Sequence, residues 1–378
     1  MSFKNVIGQA ETKKSLADLV QHDRLSHALL FLGNEGSGAL PLALAFAQYL
    51  VCEKVDGDDA CGVCPACVRA QQLIHPDIHF SYPVIPKKSG DKPVSTDYSS
   101  EWREFVRQTP YGNAYDWLQF IGAENKQGNI TSQECAEIIR KLSLKSFESG
   151  YKILILWMPE YLGNEGNKLL KLIEEPPANT LFILVAENES LILPTILSRT
   201  QLVRIPILET RDIESALVER AGVPADQASR VAAISEGNYH EALQLIRHAE
   251  DDWQALLREW LNAILRTGPV AQVKWIDEIA RMGRERQKQF LRYFSHLLEQ
   301  AIRLRYMDPA RLHIPDHERD VALRLNKMTD IARQQAVLEE LDKAAYYIER
   351  NAHAKMLFHA LTIKLYHILA DGTTVVIT

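Results

Sequence analysis

Residues 29–47 read LLFLGNEGSGALPLALAFA. An apolar run, Leu29 to Leu32, meets a turn built on Gly33, Gly36 and Gly38, and an apolar, helix-forming segment follows from Leu40 to Ala47. Strand, glycine-rich loop and helix in that order outline a phosphate-binding P-loop, G-x-x-x-x-G-K-[ST]. In that motif backbone amides cradle the phosphates, the lysine reaches the outer ones and the hydroxyl holds magnesium. Here Ala39 fills the lysine position and Leu40 the hydroxyl position. The cradle is kept and both groups that handle charge are gone. Amides alone could still hold a sulfate or a nucleotide weakly. The pocket is expected to be vacant, with side chains as a candidate block.

Upstream lie a compact, turn-ended opening, Phe3-x-x-Val6-Ile7-Gly8-Gln9, and an amphipathic helix with Leu16, Leu19 and Val20 on one face. Downstream the P-loop helix is expected to end near Cys52, where Cys-x8-Cys-x2-Cys-x2-Cys begins: Cys52, Cys61, Cys64 and Cys67. Three thiolates crowd into one knuckle and Cys52 can return as the fourth ligand. Four sulfurs make a closed tetrahedral zinc site with no position for water, so the zinc is expected to be structural. An iron–sulfur cluster is the rival. Cys135 stands apart and reads as a core cysteine.

Residues 71–130 carry the weakest pattern. HPDIHF (75–80) suggests a turn entering a strand. Pro83, Pro86, Lys87, Lys88, Gly90 and Pro93 read as an exposed connection. Then come Trp102, Phe105, Tyr111, Tyr115 and Trp117. Aromatics beside basic residues can stack on single-stranded nucleic acid. Glu101, Glu104 and Asp116 dilute any basic patch, which favours a loop packing its own rings on the domain.

From Ile130 an alternating rhythm resumes. TSQECAEIIRKL reads as a helix capped by Thr131 or Ser132, with Glu134 or Glu137 in its first turn. KILILWM (152–158) and TLFILVA (180–186) are continuous apolar strands of the kind buried parallel sheets need. Asn167 to Glu175 reads as a helix stopped by Pro176-Pro177, LPTILSRT (193–200) as a helical turn and LVRIPIL (202–208) as a strand. The alternation predicts an α/β domain with a parallel sheet covered on both faces.

Beyond Leu208 the strand signal ends. Residues 210–249 predict three short helices, separated at Gly222-Val223-Pro224 and Glu236-Gly237-Asn238. From Asp251 onward the chain reads as helical. Trp253, Leu256, Leu257, Trp260, Leu261 and Ile264 repeat at helical spacing, as do Val337, Leu338, Leu341, Ala344, Ala345 and Ile348. Such stripes are packing faces, and this third shows no catalytic constellation.

The 378 residues suit two or three domains. A net charge of −6 argues against nucleic-acid binding through the overall field. No apolar run reaches the roughly 18 residues of a membrane span. The opening MSFKNVIGQAETKK is too polar for a signal peptide, so a cytoplasmic protein is expected.

The order of P-loop, cysteine knuckle, buried strand, Asn167-Lys168-Leu169-Leu170-Lys171-Leu172-Ile173-Glu174-Glu175-Pro176-Pro177, strand and Leu197-Ser198-Arg199 resembles the clamp-loader AAA+ family. Phe3-x-x-Val6-Ile7-Gly8-Gln9 and His27-Ala28-Leu29-Leu30-Phe31 fit that family's opening. The match covers about residues 1–82 and 130–245. The resemblance implies a degenerate AAA+ domain over 1–208, with the zinc module at 52–67 and an insertion at 83–130. It further implies a three-helix lid over 209–249 and an all-α collar for oligomerisation over 250–378. The 83–130 segment is longer than the family leads one to expect, and its role is open.

Departures from the family pattern imply which kind of member this is. The Asp-Glu pair that motor subunits carry after the second core strand falls at Leu156-Trp157 or Trp157-Met158. The polar sensor after the next strand falls near Glu187 and the lid arginine near His240. With Ala39 and Leu40 these changes imply a subunit that does not hydrolyse ATP. Arg199, beside Ser198, is kept. The resemblance implies an arginine finger reaching a neighbour's ATP site, against the plainer reading of a helix-end salt bridge. The implied partners are the gamma or tau motor subunits, delta, and, through the assembled loader, the sliding clamp and primed DNA. The alternatives are an active ATPase with atypical motifs, a zinc-bearing nucleic-acid binder, and a scaffold without a finger.

Overall fold

The computed structural model describes residues 1–88, 90–123, 128–148, 150–247, 253–307, 316–349 and 352–371. The chain divides into two compact units, Met1–Arg247 and His248–Thr378. Among the described residues no helix is long and apolar enough to cross a membrane.

The first unit begins with α1 (Ala10–Gln21), β1 (Ala28–Gly33) and α2 (Ala39–Val51). Then follow α3 (Pro65–Gln71), β2 (Ile78–Ser81), α4 (Ser99–Gln108), α5 (Ala114–Phe120) and α6 (Ser132–Ser143). Next come β3 (Lys152–Trp157), α7 (Leu170–Glu174), β4 (Thr180–Ala186), α8 (Pro194–Leu197) and β5 (Gln201–Ile205). The strands form one parallel sheet in the order β2-β3-β4-β1-β5. β3 and β4 are buried at every position. Alternate side chains feed two cores: Ile153, Ile155, Leu181 and Ile183 one, Leu154, Leu156, Phe182 and Leu184 the other. A sheet covered on both faces leaves no polar side to its strands, which is why they read as unbroken apolar runs.

Three local expectations change. The last strand stops at Ile205 rather than 208, because Pro206 has no N–H to continue the ladder. The helix expected over 167–175 is a short α7 behind a 3-10 stretch, Pro159–Leu169, broken at Gly163 (φ +50°, ψ −139°). The connection read as exposed is exposed at Pro86, Lys87, Lys88 and Gly90, whereas Pro83 and Pro93 are buried. The reason is closure of the insertion at its base. Val84 and Asn129 exchange backbone hydrogen bonds, and Thr131 Oγ1 donates to the Pro93 carbonyl.

The insertion packs its own rings. Trp102, Phe105 and Trp117 are each at most 2% exposed. Tyr82 stacks on Trp102 at 4.1 Å, and Trp117 meets Trp102 edge-on at 5.2 Å. Trp117 Nε1 donates to the Pro83 carbonyl at 2.6 Å. Cys135 is fully buried, as expected of a core thiol. Trp117→Phe should destabilise this unit by about 1–3 kcal/mol, since a buried carbonyl loses its donor and the ring shrinks. An unchanged urea midpoint would refute that.

Helices α9 (Thr210–Ala221), α10 (Ala225–Ile234) and α11 (Tyr239–Arg247) follow the sheet, as the sequence leads one to expect. Their core, built on Ile213, Leu217, Ala228 and Ala242, also takes in Ile7, Tyr111 and Leu208. The boundary expected at 249/250 lies outside the described residues.

In the second unit α12 (Trp253–Asn262), α13 (Pro269–Arg281), α14 (Arg284–Tyr306), α15 (Asp316–Met328), α16 (Ile331–Glu349) and α17 (Ala354–Tyr366) share one core. Trp260 stacks on Trp275 at 4.6 Å and donates through Nε1 to Thr362 Oγ1. The apolar stripes are packing faces: Leu256, Leu257, Val337, Leu341 and Ile348 are all buried.

Candidate functional site

The P-loop closes the C-terminal end of β1, beside the ends of β3 and β4. Gly36 (φ +70°) and Gly38 (φ +92°) take backbone conformations that glycine alone adopts without strain. The cavity above them is lined by Gly33, Gly38, Tyr111, Trp157, Met158 and Glu187, among others, and measures about 20 Å³. That is room for roughly one water molecule.

The positions at which the resemblance expects phosphate-handling groups carry other side chains. Ala39 and Leu40 are buried in the core on one face of the sheet. Trp157 and Met158, where metal-binding carboxylates were sought, are also buried. Trp157 packs against Trp102 at 5.2 Å, so the insertion's aromatic cluster covers this position. His240, in α11, is 3% exposed, with Nε2 3.3 Å from Asp116 Oδ2 and 3.7 Å from Glu35 Oε1.

Two further residues, which the motifs did not single out, shape the site. The Tyr111 ring lies 2.9 Å from where a Cβ on Gly38 would stand, and its hydroxyl accepts from the Ile7 amide at 2.8 Å. Burial pushes its phenol up to about 12. Glu160, three residues past β3, accepts from the amides of Glu187 (2.7 Å) and Asn188 (2.9 Å). Burial raises its pKa while those amides oppose the shift. Glu160 therefore pins the β4 loop from which Glu187 faces the cavity.

Arg199 stands apart from this closed pocket. It follows α8, with its side chain about a third exposed. Its guanidinium pairs with Glu174 at the end of α7 and donates through Nη1 to the Thr195 carbonyl (2.8 Å) and Ser198 Oγ (3.1 Å). Ser198 Oγ donates to the same carbonyl at 3.1 Å. Glu174 lies inside the motif quoted above, but nothing local names Arg199, 25 residues on, as its partner.

The four knuckle sulfurs lie within 4.8 Å of one another. A tetrahedral zinc with Zn–S near 2.3 Å requires sulfurs about 3.8 Å apart; Cys61 and Cys67 Sγ are 3.9 Å apart. Backbone amides of Cys61, Cys64 and Cys67 point at Cys52, Cys61 and Cys64 Sγ at 3.3–3.4 Å. The amides of Val63 and Cys64 pull the Cys61 thiol down to about 6. The set can hold a zinc ion, and its four protein ligands leave no coordination position open.

A sequence profile described as "DNA polymerase III, delta subunit" matches residues 8–209. The chain is 29% identical over 242 residues to DNA polymerase III subunit delta' of Bacillus subtilis, covering 64% of this chain and 60% of that protein. It is 25% identical over 355 residues to subunit delta' of Escherichia coli, covering 93% and 92%. It is also 25% identical over 317 residues to subunit tau of Bacillus subtilis, covering 82% and 47%. The matched stretch thus spans under two thirds of either Bacillus relative.

Proposed function

The chain belongs to the DNA polymerase III delta-subunit family, and from that premise we propose that it is the non-hydrolysing, delta-prime-type stator of a clamp loader, lending Arg199 to a neighbouring ATPase subunit. The observation that carries this reading is a P-loop cleft narrowed to about 20 Å³ in a chain whose Arg199 stays at the surface.

Phosphoryl transfer spreads charge over the transferred group's oxygens, and a guanidinium supplied from a second subunit stabilises it. Arg199 suits that task because it is always charged and presents a planar fork of donors. Its pairing with Glu174 is solvent-exposed and worth about 0–1 kcal/mol. A phosphate on a neighbour can replace the carboxylate at little cost. Thr195 and Ser198 then hold the base of the fork in place.

In this reading the helices over 209–249 form the lid and the second unit supplies the collar. The partners are gamma or tau motor subunits and delta, with the sliding clamp and primed DNA engaged by the assembled loader. Cys52, Cys61, Cys64 and Cys67 hold a structural zinc. The protein works in the cytoplasm.

The purified chain should neither bind magnesium-ATP at micromolar concentration nor turn it over, as read by calorimetry and phosphate release. Tight, magnesium-dependent binding with turnover would replace this reading with an unorthodox ATPase. Strong, salt-sensitive DNA binding by the chain alone would favour a nucleic-acid-binding role instead.

A further inference from the structure

We infer that the 83–130 insertion is a built-in substitute for nucleotide, which fixes the lid helices on the P-loop through Tyr111. The inference goes beyond the stator reading and does not depend on Arg199.

The lid and the P-loop meet at unusually close range. A Cβ on Gly36 would lie 1.8 Å from Asn238 Oδ1 and 3.0 Å from the His240 amide nitrogen. The Tyr239 amide donates to the Gly36 carbonyl at 3.3 Å. Asn238, just before α11, accepts from the Glu241 amide at 3.0 Å, so the residue that meets the P-loop also caps the lid helix. In a fold of this outline a ligand between base and lid would be the natural joint. Here the insertion fills that place.

Tyr111 touches all three parts. Its hydroxyl takes the Ile7 amide, its ring covers Gly38 and its edge meets Tyr239 of α11 at 5.0 Å between centroids. It belongs to the lid's own apolar core. Asp116 Oδ2 also approaches Nε2 of buried His240 to 3.3 Å. Both residues are held from behind. The Gly112 amide returns to the Thr109 carbonyl at 2.9 Å, and Asn113 with Asp116 forms a reciprocal cap on α5. The insertion is itself anchored by the Trp102–Trp117 cluster. One rigid side chain therefore does what a bound nucleotide would do, without exchange or hydrolysis.

Amide hydrogen exchange on the full chain tests this. Tyr111→Gly should accelerate exchange at least tenfold in residues 36–39 and 210–247 while β3 and β4 keep wild-type rates. Tyr111→Phe, which keeps the ring and loses the hydroxyl's bonds to the Ile7 amide and the Arg220 side chain, should accelerate the same segments about threefold, and decides the matter if the glycine variant does not fold. Millimolar ADP with magnesium should leave lid exchange in the wild-type chain unchanged. Wild-type lid rates in the variants, uniform acceleration that includes the sheet, or protection of the wild-type lid by ADP would each overturn the inference.

Discussion

Arg199→Ala in a loader reassembled with its motor subunits should cut ATP turnover at the site it serves by about 10²–10³-fold, the usual loss when one preorganised transition-state donor is removed. The fall belongs in kcat, because a group that meets charge developing on the transferred phosphoryl acts mainly in the transition state. Clamp loading should fall with it. The chain itself should fold and assemble as before, since the exposed pair with Glu174 contributes about 0–1 kcal/mol. Arg199→Lys should rescue only part of the activity: it keeps the charge but not the fork that spans Glu174, Thr195 and Ser198. Unchanged turnover in a complex of normal composition would reduce the chain to a scaffold.

Removing the metal should have the other large effect, on stability. The purified chain should carry about one zinc, and Cys67→Ser, at a fully buried ligand, should abolish its binding. Structural zinc sites contribute of order 10 kcal/mol of apparent binding energy in small domains. The knuckle sits outside the sheet, so the loss should start locally. It should spread to the N-terminal segment, because Asp59, between Cys52 and Cys61, accepts from the amides of Phe3 and Lys4. Chelation should therefore release residues 1–7 to rapid hydrogen exchange and lower the thermal midpoint before the sheet unfolds. A metal-free protein indifferent to chelator would end the zinc assignment. Iron with visible absorption would replace it by a cluster.

Much of the molecule follows from short-range pattern. β3 and β4 are legible because, buried on both faces, they are apolar at every position after their first residues, Lys152 and Thr180. Gly36 and Gly38 are legible because positive φ selects them, Gly33 because a Cβ there would meet Ser37 and Ile205, and the knuckle because three of its four cysteines recur at a spacing of three. The helical stripes of the second unit show in the same way. The departure from the P-loop pattern can be read at Ala39 and Leu40.

The insertion is where sequence alone stops. Its aromatics suit stacking on bases or on one another; the acids among them favour the second, but only the folded chain shows that the rings bury around Trp157. Tyr111 follows an unremarkable Thr-Pro and reaches an amide 104 residues away. Glu160 looks like any exposed acid until the β4 loop is brought over it. A local pattern records the backbone conformation and the side of an element that must leave water. It does not record which distant group will be waiting on that side. The sequence by itself therefore determined the buried strands, the cysteine knuckle and the departures from the P-loop pattern at Ala39 and Leu40. What fills the vacated pocket was decided only when the insertion, the P-loop and the lid folded onto one another.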